Sequence, residues 1–257
     1  MTENDDVAGG TGLPASIEAA WGLRERPVKG PKPGLSLDRI VAAAVEVAAA
    51  EGISAVSMGR VAKELGASTM SLYRYVSAKE ELYVLMQEVA MGAPSPLPAL
   101  EEGAGWREGL RQWAWAQRRM FHRNLWSLRI PISGPPASPH SVAWWEQGLQ
   151  ALEGSGLSEG DKISVILLVN GFVRNEALLM SDLAAAVETK GVPVQEVMAQ
   201  WERTVKRLVD PVRHPALSRL LATDAMSEPD DADYDFVFGL DRVLDGVEAL
   251  IGKSGPS

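Results

Sequence analysis

The chain of 257 residues contains no cysteine, and that absence removes disulfide frameworks, thiolate zinc sites and cysteine nucleophiles together. It is compatible with a reducing compartment. Histidine is nearly as scarce: His122, His140 and His214 stand far apart in sequence, two of them beside prolines, and none lies in an HExxH pattern. No glycine-rich phosphate loop and no nucleophile elbow occurs either. An enzyme is therefore the runner-up class, and no catalytic residue, metal ligand or cofactor is assigned. No unbroken apolar run approaches the roughly 20 residues that cross a bilayer. The first residues (Glu3, Asp5, Asp6) are acidic, where an export signal is basic and then apolar. The expectation is a cytoplasmic protein without a membrane partner.

A net charge of −9 looks wrong for a nucleic-acid binder until it is divided along the chain. From Gly22 to Lys79 nine Lys/Arg stand against five Asp/Glu, a local +4, which leaves 16 basic and 29 acidic groups, −13, for the remainder. A mildly basic head on an acidic body presents the head to DNA and turns the body away.

With 46% apolar and 23% charged residues, a packed core is attainable without a covalent staple. Residues 1–33 mix Gly, Pro and charge and read as a flexible N-terminal arm, with only a short possible helix around Ile17 to Arg24. Residues 34–92 read as a helical head. Ser36 caps a helix that Gly52 stops, Ser57 caps a second that Gly66 ends, a short third runs from Ser68 or Thr69 to Tyr75, and Ser77 caps a fourth from Ala78 to Met91. Three prolines and three glycines between Gly92 and Gly105 mark residues 93–104 as a linker. Residues 105–257 carry helical periodicity at about Trp106 to Arg123, Ser138 to Glu153, Ser158 to Glu188, Val194 to Val209 and Asp233 to Ile251, with short turns near Leu125 and Ala216. No strand pattern appears, so the fold class is all-α: a three-helix helix-turn-helix headpiece followed by a larger C-terminal helical domain.

The function is carried by Val61-Ala62-Lys63-Glu64-Leu65-Gly66-Ala67-Ser68-Thr69-Met70-Ser71-Leu72-Tyr73-Arg74-Tyr75-Val76. Ala62 is small where two helices cross, Gly66 suits a left-handed turn, and Leu72 and Val76 return to the core. Ser68, Thr69, Met70, Ser71, Tyr73, Arg74 and Tyr75 are left around a short helix that fits a major groove. Hydroxyls and phenols bind phosphates or base edges, Arg74 suits a bidentate pair with guanine, and Met70 suits a thymine methyl. Lys29 and Lys32 in the arm are candidates for minor-groove or phosphate contact, with a solvated tail as the equal alternative.

These residues, with Lys79-Glu80-Glu81-Leu82, resemble the headpiece of the tetracycline-repressor (TetR/AcrR) family, from Leu35 to about Met91. The resemblance implies DNA contacts by Thr69, Ser71, Tyr73 and Tyr75 and a phosphate anchor at Lys79. Gly59 departs from it: the tetracycline repressors themselves carry a base-contacting arginine at that place, which implies a different operator. Beyond the head, the helical layout, Phe121-His122-Arg123-Asn124-Leu125-Trp126 and Gly171-Phe172-Val173-Arg174 resemble the C-terminal domain of the same family.

Seven of the eight tryptophans lie beyond the linker. Each alone reads as core; as a set they suggest a pocket for a small apolar effector. Trp113 with Gln117, Trp145, and Asn170 with Arg174 are its candidate wall, the alternative for the last two being an interhelical bond at a dimer seam. The helix from Ser158 is apolar around its circumference, and the resemblance implies that it and the last helix pair with their symmetry mates in a homodimer. Such a dimer would hold two recognition helices one DNA turn apart on a palindromic operator, with an effector releasing them through the fourth helix. A DNA-organising member of the same family without an effector is the remaining alternative.

Overall fold

The computed structural model describes residues 13–23, 34–98, 105–132, 134–191, 193–223 and 233–254. Its helices are α1 (Ala15–Ala20), α2 (Leu37–Glu51), α3 (Met58–Glu64), α4 (Thr69–Leu72), α5 (Lys79–Met91), α6 (Trp106–Arg123), α7 (Pro139–Ala151), α8 (Glu159–Lys190), α9 (Val194–Leu208), α10 (Pro215–Leu221) and α11 (Tyr234–Ser254). Short 3-10 turns stand at Ile53–Ala55 and Leu125–Arg129, and no strand occurs among the described residues.

The head forms where the caps and stripes place it. Ser36 Oγ accepts from the Arg39 amide and Ser57 Oγ from the Arg60 amide, each satisfying an orphan donor of the first helical turn. Ile40, Ala44 and Val47 of α2, Val61 of α3, Leu72 of α4 and Leu82 and Met86 of α5 are all at most 2% exposed in one cluster. Ser77 is not the cap of α5. Ala78 holds that place without a side-chain bond, and Glu81 in the first turn instead accepts from the Ser77 amide at 2.9 Å.

The body is built on α8, which packs against α6, α7 and α11. Trp113, Val169, Val173, Phe236, Leu240 and Leu244 fill its core. Salt bridges tie α6 to its neighbours: Arg107 to Asp245 and Glu248, Arg111 to Asp241, and Arg118 to Glu176 on α8 and Asp233. The hydrogen bond from Arg107, and then that from Arg242, holds the Asp245 carboxyl below the ordinary carboxylate range.

Three expectations change. The short helix read around Ile17 to Arg24 lies a little earlier, at Ala15–Ala20, runs along α5, and sets Ala19 and Ala20 against the head core. The recognition helix is a single α-turn, Thr69–Leu72, and Tyr73 to Tyr75 continue as hydrogen-bonded turns. Although no unbroken apolar run is long enough, Glu159–Val187 of α8 is long and apolar enough on average to cross a bilayer. Its charges explain the difference: Arg174 and Glu176 interrupt the run and are both bonded to other parts of the body.

Candidate nucleic-acid and effector sites

The candidate DNA-facing surface is made by the turn between α3 and α4. Gly66 takes φ +62° there, and since a Cβ would meet nothing within 4 Å, backbone conformation rather than space is what calls for glycine. Ser68 Oγ then accepts from the Ser71 amide and shares a 2.7 Å hydrogen bond with Ser71 Oγ, so both hydroxyls shape the start of α4 before any ligand arrives. With Leu72 and Val76 buried, Met70 is left 74% and Tyr73 44% exposed. Arg74 is exposed and has no bonding partner among the described residues. Thr69 is half-buried at the head of the turn.

One other cation of the head, Arg60, is committed. Arg60 is held by Glu51 and Glu64, both at 2.6 Å, and their hydrogen bonds raise its pKa further, so it is a structural clamp. Lys79 lies 5.0 Å from the centre of the Tyr83 ring at the N-terminus of α5, where no side chain caps the helix and anions are favoured. Tyr75 behaves differently from its neighbours. The chain turns after Leu72 and brings its hydroxyl to the Leu35 carbonyl at 3.1 Å, so its hydrogen is used to fix the start of α2. Lys29 and Lys32 lie outside the described residues.

The proposed pocket wall is brought together, but closed. Trp113 is 1% exposed and its indole N–H donates to the Trp144 carbonyl at 3.0 Å. Gly148 makes room for it: a Cβ there would stand 2.7 Å from the indole, which lies against α7. One turn on, Gln117 is 3% exposed and accepts from the Asn170 amide at 3.1 Å. Arg174 donates to the Leu128 carbonyl, and Trp145 is half-buried against the same core. Asn170 and Arg174 thus bond within the protomer, to α6 and to the turn after it. Trp201 stands apart on α9, 42% exposed.

An open groove of about 380 Å³ runs instead between α8 and α11, lined by Leu168, Val243, Val247 and Leu250 among others. Around it α8 exposes Ile163, Leu167 and Leu168, and α11 exposes Val237 and Phe238. The opposite faces of both helices are buried in the body. Each helix is therefore apolar on two sides, and only one is covered.

Sequence periodicity gave no sign of how head and body meet. Trp126 and Ile130, from the turn after α6, sit in the core of the head. Glu88, 8% exposed on α5, takes the His140 amide at 2.9 Å, while His140 Nδ1 meets the Glu88 carbonyl. Asn124 donates to the Ala90 carbonyl and Trp144 to that of Gly92. The C-terminal half of α5 is thereby gripped by Asn124, His140 and Trp144, and the Trp144 carbonyl also accepts from the Trp113 indole. Among the described residues no three His, Asp or Glu could share a metal ion.

The profile for bacterial regulatory proteins of the tetR family matches residues 40–86, and that for the tetracyclin repressor-like C-terminal domain matches residues 97–251. The chain belongs to the TetR family. It is a DNA-binding transcriptional regulator, and the family profile for the head spans α3 and α4. The HTH-type transcriptional repressor DrrR1 of Streptomyces coeruleorubidus is 34% identical over 98% of this chain and 93% of its own length. Apo ActR from Streptomyces coelicolor has the same architecture, with a TM-score of 0.71 and 28% identity over 88% of this chain and all of that one. ActR in complex with actinorhodin aligns as well, with a TM-score of 0.71 and 29% identity over 87% of this chain and all of that one.

Proposed function

We propose that this TetR-family regulator is a cytoplasmic repressor that binds a palindromic operator as a homodimer and is released by a small hydrophobic effector, with no catalytic step of its own. The observation that carries the reading is the contrast on the head: Met70, Tyr73 and Arg74 are exposed and unused, while Arg60 and Tyr75 beside them are committed to the fold. Met70, Tyr73 and Arg74 read bases; Ser68, Thr69, Ser71 and Lys79 hold phosphates, with Tyr75 positioning the start of α2 and Lys29 and Lys32 adding backbone contacts. The division of the chain that goes with this reading is an arm over 1–33, a DNA-binding domain over 34–92, a linker over 93–104 and an effector-binding and dimerisation domain over 105–257.

The effector enters between α6, α7 and α8, where Trp113, Gln117, Trp145, Asn170 and Arg174 lie. That space is filled in this structure, so entry displaces the Trp113 indole or parts the Gln117–Asn170 pair. A closed interior alone would favour a DNA-organising role. Support for a sensor comes from ActR, which binds actinorhodin, and from the grip of Glu88, Asn124 and Trp144 partners on α5, which converts a shift near Trp113 into a tilt of the head. Because an effector acts only by preferring the released arrangement, operator and effector must weaken each other by the same factor. Titrating actinorhodin and related aromatic acids by tryptophan quenching, with and without operator, tests this. An inducer quenches at higher concentration when operator is present, whereas equal curves for every quencher contradict release by this class.

A further inference from the structure

The N-terminal segment over residues 13–23 touches head and body at once. α1 lies along α5 with Ser16 buried, and Ala19 and Ala20 pack on the head core. Immediately after the helix, the Trp21 indole N–H donates to the Ala137 carbonyl at 2.7 Å, across 116 positions of sequence. Ala137 stands in the proline-rich segment between Ile130 and His140, the former seated in the head core and the latter bonded to Glu88. Trp21 itself is 46% exposed, so directionality rather than burial is what it contributes.

The head is joined to the body through α5 and through Trp126 and Ile130 seated in its core. The Trp21–Ala137 bond adds a further attachment from the N-terminal side, and each added point of attachment narrows the range of tilt. We propose that α1 and Trp21 form a strap that sets the angle of each head on its body, and so the separation of the two heads in the dimer. Trp21 is a positioning residue for operator binding, touching no DNA itself. The inference rests on the dimeric operator reading above.

The consequence is specific. Once one head is on its half-site, the second binds with an effective concentration fixed by the spread of head separations. Loosening the strap widens that spread, which weakens binding at the right spacing and relieves the penalty at the wrong one. Binding of a single half-site, made by one head alone, should not change.

The test uses DNA selected from a random pool by the wild-type protein, prepared as the full palindrome, as one half-site, and with one base pair added or removed between half-sites. Anisotropy titrations compare wild type with Trp21→Phe, which keeps a ring and loses the N–H, and with Trp21→Ala. Both variants should bind the half-site as wild type does and lose about three- to tenfold on the palindrome, the worth of one hydrogen bond. Both should also show a smaller penalty for altered spacing. Equal losses on half-site and palindrome would mean that Trp21 merely stabilises the head, and unchanged affinity with an unchanged spacing penalty would mean that the strap does nothing; either overturns the proposal. A wild-type protein that binds palindrome and half-site equally overturns the dimeric reading itself, and is recognised without any variant.

Discussion

The Asn170 side-chain amide donates to the Gln117 oxygen at 3.1 Å, joining α8 to α6 beside the buried Trp113 indole. A buried amide stripped of its partner costs about 1–3 kcal/mol, whereas removing both groups together can be nearly neutral. Gln117→Leu and Asn170→Leu should therefore each destabilise the protein by about that amount, and the double variant by clearly less than their sum. Urea unfolding of the four proteins measures it. Full additivity would mean that the two amides do not depend on one another.

Gly148 gives the sharpest packing prediction. A methyl group at this position would stand 2.7 and 2.8 Å from two atoms of the Trp113 ring, on the backbone of a well-formed helix. Gly148→Ala should gain helix propensity yet lose about 1–3 kcal/mol overall through forced repacking. Near-ultraviolet circular dichroism should report the displaced indole. A variant as stable as wild type with an unchanged spectrum would show that Trp113 does not lie against α7.

On the recognition surface, Arg74 and Lys79 should separate by sequence dependence. Arg74→Ala should lose about 1–3 kcal/mol on the operator and relax preference at one base pair. Lys79→Ala should weaken all sequences alike and reduce the salt slope by about one. Titrations on operator variants at several salt concentrations distinguish them, and unaltered specificity for Arg74→Ala would remove that residue from base reading.

Assembly is tested on the uncovered side of α8. Leu168 is 54% exposed on the α8–α11 groove, while Leu244 on the opposite face of α11 is wholly buried within the protomer and is a poor probe of the seam. Leu168→Glu should leave the protomer folded but shift sedimentation at micromolar concentration from about twice the 27.7 kDa chain mass to about once that mass. Tight operator binding should fall with it. A folded Leu168→Glu protein that remains dimeric would place the interface elsewhere.

Most helix boundaries were legible in the sequence because local chemistry sets them. Serine caps at 36, 57 and 68, positive-φ glycines at 52 and 66, and the Pro/Gly run after Met91 act within a turn of where they stand. The exposed set on α4 was legible for the same reason, since Leu72 and Val76 define its inner face. The Tyr75–Leu35 bond was not legible, because it depends on a turn after Leu72 and a carbonyl 40 residues away. The docking of α1, the seating of Trp126 in the head and the Glu88–His140 bond are equally remote in sequence, and no periodicity encodes them. That Gln117 and Asn170 lie on facing helices agrees with their spacing, but spacing cannot say whether the room between them is full.

The central claim, a sequence-specific dimeric DNA binder, is tested most directly by selecting sites from a random DNA pool and titrating the winner against a scrambled duplex at physiological salt. The account predicts an enriched palindrome whose half-sites lie about one helical turn apart, bound roughly 10³-fold or more tighter than the scrambled sequence. A pool that enriches no sequence, or a selected duplex bound no better than its scramble, would contradict it.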